Sequence, residues 1–362
     1  MKPLYETYCF SQIPQTIHFL LTGQGAPGLP ESTLATLPRH YDKVILLFID
    51  GFGWRFFERY CDKYPFLKRF ISDGVVSKLT SQFPSTTSAH TTTIHTGLPV
   101  GESGVFEWAY YEPLLDQIIS PLLFSFSGDK GRNTLSKAGI SPQMLFPRRT
   151  VYQSLQQQDI KSYVFQHRDY TPSPFTNTMF AGAQVSAYKT FAEALLNLGD
   201  ALLAEPGKAY YFLYFDSLDS ISHVYGPGSR HFEAEVDTFL SMMERLFYGE
   251  IAGKLKNTLL LMTADHGQVE ISPETTIYLN QLTSSIESFI KTNHQGQLLV
   301  PAGAPRDMFL YIKDEHLDEA HAQLSRQFKG RAEVHYVRDL IDQGFSAWGI
   351  LQRLLWGVWV IW

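Results

Sequence analysis

The chain has 362 residues, of which 44% are hydrophobic and 18% charged, so it is long enough to bury the core of a large globular protein. Its formal net charge of −6, with no long basic run, argues against a protein that grips a nucleic-acid polymer. The two cysteines cannot form a disulfide framework, which fits a reducing compartment and predicts a cytoplasmic location. We find no secretory signal at the N-terminus, and we expect no membrane span.

Strand and helix alternate along the chain, which predicts a mostly parallel central sheet with helices on both faces. The first strand is predicted over 43–49, followed by helical spacing over 54–72 and a second strand over 75–82. Although threonine is a poor helix former, we predict a short helix over 85–95 after Pro84. The N-terminus of this helix is expected to face the ligand site.

The remaining elements continue the alternation, and we treat them as parts of one domain. Helices are predicted over 151–158, 190–203, 231–247 and 314–328, and strands over 161–166, 211–215, 259–263, 307–312 and 333–337. Two less regular stretches, 106–149 and 272–305, are interpreted as cap or insert segments beside the site.

Three of the apolar strands are followed by acidic and imidazole groups. Asp50 follows the first, Asp219 and His223 follow the second, and Asp265 and His266 follow the third. Because the carboxyl ends of parallel strands meet at one edge of a sheet, we expect these five side chains to surround a common hollow. Carboxylates and imidazoles are ligands of divalent metal ions, and the set is large enough for two ions. The four-residue spacing of Asp219 and His223 lets one helix face present both to one ion.

A threonine-rich segment directly follows Pro84. A hydroxyl at a helix N-terminus beside a metal ion can ionise near neutral pH and attack phosphorus. Taken alone, such a threonine is more often an N-cap, but the surrounding metal-ligand pattern favours a nucleophile. The sequence does not decide the register, so Thr86 and Thr87 are both candidates.

The ordered set of Asp-Gly, a Pro-led threonine turn, Asp-x-x-x-His and Asp-His-Gly resembles the alkaline phosphatase superfamily. It is most similar to the type I phosphodiesterase/nucleotide pyrophosphatase family, over about residues 43–268 and the sheet-closing region beyond. The resemblance implies an alkaline phosphatase-like α/β fold and a hydrolase that cleaves phosphate diesters or nucleotide pyrophosphates through a phosphothreonine intermediate. It favours Thr87 as the nucleophile, since this is the third residue after Pro84.

The resemblance also implies two divalent metal ions, zinc with manganese as the alternative, and a small, nucleotide-like phosphorylated substrate. The implied ligands of the first ion are Asp50, Thr87, Asp265 and His266, and those of the second are Asp219 and His223. The family's asparagine after the nucleophile is missing at the corresponding place. His90 is expected to contact the substrate there, with a structural role as the alternative.

The family's third histidine for the second ion has no clear counterpart in this chain. His294 is the one later histidine in a turn-like setting; the others are His316, His321 and His335. We favour the hypothesis that the ligand is absent. The composition changes abruptly to tryptophan, leucine and valine over 345–362, as a truncated or frameshifted gene would produce.

Two other functions stay open at this point. The first is a phosphomonoesterase or phosphomutase of the same superfamily, although the threonine turn disfavours the mutase branch with its serine nucleophile. The second is a catalytically impaired remnant that keeps the fold but lacks its last metal ligand.

Overall fold

The structure is a computed structural model that describes residues 2–282, 286–304, 306–347 and 357–361. In chain order its strands are β1 (Lys43–Ile49), β2 (Tyr110–Glu112), β3 (Gln117–Ser120), β4 (Ser125–Phe126), β5 (Lys161–His167), β6 (Gln184–Tyr188), β7 (Ala209–Phe215), β8 (Thr258–Thr263), β9 (Ala302–Ala304), β10 (Asp307–Leu310), β11 (Glu333–Tyr336) and β12 (Val358–Ile361).

The helices separate and cover these strands. They are α1 (Ile13–Thr22), α2 (Trp54–Tyr60), α3 (Pro65–Ser72), α4 (Thr87–Thr96), α5 (Val100–Ser103), α6 (Thr134–Lys137), α7 (Val151–Gln156), α8 (Pro174–Met179), α9 (Phe191–Ala204), α10 (Ser217–Tyr225), α11 (Arg230–Met242), α12 (Gly249–Ile251), α13 (Leu279–Leu282), α14 (Ile286–Phe289), α15 (Leu317–Gln327) and α16 (Val337–Asp342), with a π-helical segment at Met243–Tyr248.

The central sheet has five parallel strands in the order β6-β5-β7-β1-β8. Strand β1 is buried on both faces. Its alternate residues from Val44 to Phe48 join one hydrophobic cluster, and those from Ile45 to Ile49 join a second. Both faces of the sheet are therefore covered, as expected for parallel strands that are continuous apolar runs. The predicted fold class, a mostly parallel sheet between helices, is confirmed.

Two smaller antiparallel sheets stand beside the central one. Strands β2, β3 and β4 form one of them inside the 106–149 segment. The other has the order β11-β12-β10-β9. Its strand β12 comes from the apolar tail, pairs with β10 and β11, and buries Val358 and Val360. Residues 348–356 of the tail lie outside the described residues.

Two predicted elements differ from the structure. The helix over 54–72 is two helices, because Tyr64 is extended and Pro65 begins α3. The strand over 75–82 is wrong: Thr80 forms an isolated bridge with Cys9, and the rest of the segment has no ladder partner among the described residues. A segment forms a strand only where a neighbouring strand pairs with it, and the described residues include no such neighbour for 75–82. Within the described residues, no helix combines the length and the apolar character needed to cross a bilayer.

Candidate active site

The ends of β1, β7 and β8 bring the predicted metal ligands together. The three strands are parallel neighbours, so the residues that follow them share one edge of the sheet. Asp50, Asp219 and His266 each place one ligand atom within 4.8 Å of the other two. Residues separated by more than two hundred positions thus form one cluster.

The threonine turn lies against this cluster, and its two threonines differ in role. Thr86 is the N-cap of α4: its Oγ1 donates to the Phe106 carbonyl (3.1 Å) and accepts from the Ala89 amide (3.4 Å). Thr87 is the first residue of the helix, and its Oγ1 lies 3.1 Å from Nε2 of His266. Thr86 therefore has the capping contacts, and Thr87 has the hydroxyl that faces the cluster.

His266 directs an available nitrogen into the centre of the site. Its Nδ1 lies 3.0 Å from the Gly267 carbonyl, which can only accept, so Nδ1 donates there and Nε2 is the nitrogen that faces the site. This Nε2 is 3.5 Å from Asp50 Oδ1 and 3.4 Å from Asp265 Oδ2. The backbone amide of His266 donates to the other oxygen of Asp265 at 2.8 Å, which orients that carboxylate.

The carboxylate oxygens beside His266 Nε2 are those without a hydrogen-bond donor among the described residues. Asp50 Oδ1 and Asp265 Oδ2 are buried and accept no hydrogen bond from any described residue. A buried carboxylate oxygen left unpaired is costly, and a cation between the two would remove that cost. Together with Nε2 of His266 and the Thr87 hydroxyl, these oxygens make a donor set that fits a zinc-type ion.

The pKa shifts of the clustered carboxylates also indicate that a cation is needed between them. Burial, followed by the charges of Asp265 and Asp219, raises the pKa of Asp50 well above its usual value, and the Tyr214 hydroxyl that donates to Asp50 Oδ2 opposes this. Burial also pushes up the pKa of Asp265, but His266 and the hydrogen bond with Asp50 lower it overall. Without an added positive charge, the clustered carboxylates cannot all stay ionised cheaply.

Asp219 and His223 form a second, more open donor pair on α10. His223 Nε2 is 3.3 Å from Asp219 Oδ2, and the His223 side chain is 73% exposed. Its hydrogen bond with Asp219 is the main cause of a raised His223 pKa. The amide of Gln268 donates to Asp219 Oδ1 and fixes the carboxylate from the other side. The two side chains lie on one face of α10 within contact of each other, as their four-residue spacing predicts.

The later histidines considered as a third ligand have partners elsewhere. His294 Nδ1 is 2.5 Å from Asp116 Oδ2, and its side chain is 93% exposed. The other three also interact locally: His316 with Glu319, His321 with the Val334 carbonyl and His335 with Glu333. Within the described residues, none of the four joins the cluster of Asp50, Asp219 and His266.

His90 does not lie where a substrate contact requires it. Its Nε2 accepts from the Gln82 amide (2.9 Å), its Nδ1 donates to the Thr86 carbonyl (2.7 Å), and the residue is fully buried. The ring packs edge-on against Phe10, and burial lowers the pKa of His90 to about 4. Three residues along α4 from Thr87, the side chain turns into the core. The structural alternative therefore describes its position, and the expected substrate contact is corrected.

A cavity of about 210 Å³ opens beside Asp50 and Thr87. Trp108 lines it and is 49% exposed, which is unusual for so large an apolar ring. Arg132 and Tyr170 line it as well, with the guanidinium 5.3 Å from the centre of the tyrosine ring. Trp108 and Arg132 both belong to the 106–149 segment. The cavity offers aromatic surface and one positive charge next to the threonine hydroxyl.

Tyr214 and Gln268 were not anticipated from the sequence, although each holds a cluster carboxylate. A signal for Tyr214 existed: a tyrosine inside a fully apolar strand must find a partner for its hydroxyl. Its position opposite Phe48 in the sheet, beside the end of β1, makes Asp50 that partner. Gln268 follows Asp-His-Gly directly and carried no comparable signal.

The fold and the cluster define a phosphohydrolase built on an alkaline phosphatase-like sheet. Residues 44–347 match the model of the family described as type I phosphodiesterase/nucleotide pyrophosphatase. Because this match covers most of the chain, the chain belongs to that family, and it is an enzyme of the phosphodiesterase/nucleotide pyrophosphatase type. Among curated proteins, no sequence match was found.

Solved structures are similar in fold. An inactive variant of murine ectonucleotide pyrophosphatase/phosphodiesterase 5, in complex with AMP, has a TM-score of 0.61 at 16% identity over 88% of this chain and 78% of that one. The human protein of the same name gives 0.61 at 15% identity, over 88% and 78%. Phosphonoacetate hydrolase from Sinorhizobium meliloti 1021, in complex with phosphonoacetate, gives 0.60 at 16% identity, over 88% and 79%. At such identities these similarities establish the fold.

Proposed function

We propose that this enzyme hydrolyses phosphate diesters or nucleotide pyrophosphates with Thr87 as nucleophile and two bound divalent metal ions. The observation that carries the proposal is the Thr87 hydroxyl 3.1 Å from Nε2 of His266, among carboxylate oxygens that lack hydrogen-bond partners within the described residues. The family supports the reaction type. The threonine intermediate and the ions are our inference from the donor set.

The proposed ligands follow from the two donor groups described above. The first ion would be held by Asp50, Thr87, Asp265 and His266, and the second by Asp219 and His223. When bound, such ions lower the pKa of a coordinated hydroxyl and neutralise charge on the phosphoryl oxygens. The share of nitrogen donors favours zinc, with manganese as the alternative.

The protein's own residues then carry out a two-step displacement. Thr87 Oγ1 gives up its proton to solvent and forms a bond to phosphorus, while the bond from phosphorus to the leaving oxygen breaks. The leaving group departs with the electron pair and takes up a proton from water. Water next attacks the phosphothreonine and loses a proton to solvent, while the bond between phosphorus and Thr87 breaks and the threonine oxygen regains a proton. Tyr214 and Gln268 hold Asp50 and Asp219 in place through both steps.

The cavity supports a small, nucleotide-like substrate. Trp108 and Tyr170 offer ring faces on which a base can stack, and Arg132 offers charge to an anionic group. AMP in the murine relative is consistent with this class of ligand, whereas phosphonoacetate in the bacterial hydrolase shows that the fold also accepts smaller anions. The 106–149 segment acts as a cap in this proposal. Two free cysteines fit a cytoplasmic enzyme.

A paired assay tests the proposal. The chain is supplied with zinc or manganese and given bis(p-nitrophenyl) phosphate and, separately, p-nitrophenyl phosphate. We expect a higher kcat/KM for the diester and metal bound in the ratio of two ions to one chain. A preference for the monoester would instead support the phosphomonoesterase function.

A second candidate function is the impaired remnant. The observation in its favour is that, among the described residues, His223 belongs to no group of three potential metal ligands. A folded chain that binds a single ion and turns over neither ester would support it. Two tightly bound ions with diester turnover would exclude it.

A further inference from the structure

A second pair of acidic side chains lies behind the threonine turn and takes no part in the proposed reaction. Glu107 follows Phe106, whose carbonyl accepts the Thr86 hydroxyl at 3.1 Å. Asp307 is the first residue of β10. Glu107 is fully buried and Asp307 is 5% exposed. The two segments adjoin: the ring centres of Phe106 and Phe309 are 5.4 Å apart, and the Gly303 amide donates to the Ala109 carbonyl at 3.3 Å. The charge of Asp307 therefore acts on Glu107.

These carboxylates lack the partners that buried charges need. Both oxygens of Glu107 and Oδ2 of Asp307 are buried and have no hydrogen-bond partner within the described ranges. The Trp108 amide and the Thr86 hydroxyl lie near enough to favour the ionised form of Glu107 in part. Three buried carboxylate oxygens from two adjoining segments therefore lack hydrogen bonds within the described residues, at a considerable cost in free energy.

The neighbouring arginine does not complete the pair. Arg306 donates through Nη2 to the Ser85 carbonyl at 3.1 Å, and within the described part of the chain it forms no ion pair with Glu107 or Asp307. Burial raises the pKa of Asp307 to about 7, against the opposing charge of Arg306. Burial and then the charge of Asp307 also raise the pKa of Glu107. One more positive charge is needed for both groups to be ionised.

We propose that Glu107 and Asp307 bind a hard divalent cation, Mg²⁺ or Ca²⁺, at a site separate from the two catalytic ions. The donors on offer are oxygens alone, which suit these cations better than zinc. The bound cation would join the 106–149 segment to β10 directly behind the cap residue Thr86. It would thereby hold the threonine turn against the second sheet. The site goes beyond the proposed function, because it requires no turnover.

The test measures cation binding in a chain whose catalytic ligands have been removed. In an Asp50→Asn/Asp219→Asn background, CaCl₂ is titrated calorimetrically, and Tb³⁺ is followed by luminescence excited through tryptophan, since Trp108 adjoins the site. We expect one ion for each chain, with binding weakened at least tenfold by Glu107→Gln and by Asp307→Asn. Glu102→Gln, which changes an exposed acid five residues earlier, is the matched control and should bind as its parent does.

Thermal unfolding distinguishes a bound cation from a proton shared between Glu107 and Asp307. With Ca²⁺ present, the unfolding midpoint of the natural chain should rise, and that of the Glu107→Gln variant should not. With a chelator present, Glu107→Gln should be at least as stable as the natural chain, because it removes a repulsive charge. If Ca²⁺ and Tb³⁺ do not bind, or bind equally well to both variants and their parent, the pair shares a proton and the proposal is overturned. Because the background removes one carboxylate from each proposed catalytic ion site, the binding result is independent of the proposed hydrolysis.

Discussion

Replacing each of the adjacent threonines by alanine should produce opposite effects on turnover and on stability. Thr87→Ala removes the hydroxyl beside His266 Nε2 and leaves the cap intact. Thr86→Ala removes the donor to the Phe106 carbonyl and the acceptor of the Ala89 amide. The first variant should therefore be folded and inactive, and the second should be active and less stable.

The magnitudes follow from what each side chain contacts. Loss of a nucleophile lowers kcat by about 10⁴ to 10⁶, which corresponds to about 5 to 8 kcal/mol of transition-state stabilisation. Thr87→Ala should change the free energy of unfolding by less than about 0.5 kcal/mol, as expected away from packing and capping contacts. Loss of the N-cap in Thr86→Ala should cost about 1 kcal/mol of stability, within a range of about 0.5 to 2.

The assay combines diester hydrolysis in the presence of zinc with urea unfolding of the same preparations. Acid quenching during turnover should trap phosphate on Thr87 in the natural chain and not in Thr87→Ala. Thr87→Ser is the matched control: it keeps a hydroxyl and should retain measurable turnover. A folded Thr87→Ala variant that still turns over, together with an inactive Thr86→Ala variant of natural stability, would refute the assignment of the nucleophile.

Three further predictions concern the groups around the site. Tyr214→Phe should weaken metal binding by about 10- to 100-fold in a chelator competition, because Asp50 loses the donor that orients it, and unchanged affinity would contradict that role. His90→Ala should lower the free energy of unfolding in urea by about 1 to 3 kcal/mol, because it leaves the buried backbone amide of Gln82 without its acceptor. The Thr86 carbonyl keeps the backbone amide of residue 90 as a donor. KM should stay within twofold, and a large rise in KM would support the substrate contact instead. The raised pKa of Asp307 means that the folded chain binds the proton of this carboxyl more tightly than the unfolded chain does. In the presence of a chelator, the free energy of unfolding should therefore fall by up to about 4 kcal/mol as the pH rises from about 4 to about 7. Asp307→Asn should flatten this pH profile, and a slope that persists in the variant would assign the pH dependence to other groups.

Some of the site was readable from local sequence. The strands β1, β7 and β8 are apolar runs of six or seven residues bounded by polar residues, a pattern typical of parallel strands. Strands β1 and β7 are buried, whereas β8 lies at the edge of the sheet and is mostly half-buried. Polar residues that directly follow such runs must then lie at one edge of the sheet. The donor pair Asp219 and His223 depends only on helix geometry, so its spacing was also sufficient.

Other features depend on contacts between distant parts of the chain. The segment 75–82 was predicted as a strand, yet a strand also requires a neighbour, and among the described residues only Thr80 pairs, in an isolated bridge with Cys9. Val358–Ile361, from a tail with no readable pattern, becomes a strand because β10 and β11 present open edges on either side. Whether a segment pairs as a strand depends on the neighbouring strand as much as on the segment's own sequence.

The identity of the residues, their order along the chain and the type of chemistry they support were determined by the sequence alone. The different contacts of Thr86 and Thr87, the inward turn of His90 and the support of Asp50 by Tyr214 were decided only by the tertiary structure. The physical reason is that each depends on a rotation or a distance between elements far apart in the chain. Hydrophobic patterning specifies which face of an element is buried, but not which atom meets which across the fold.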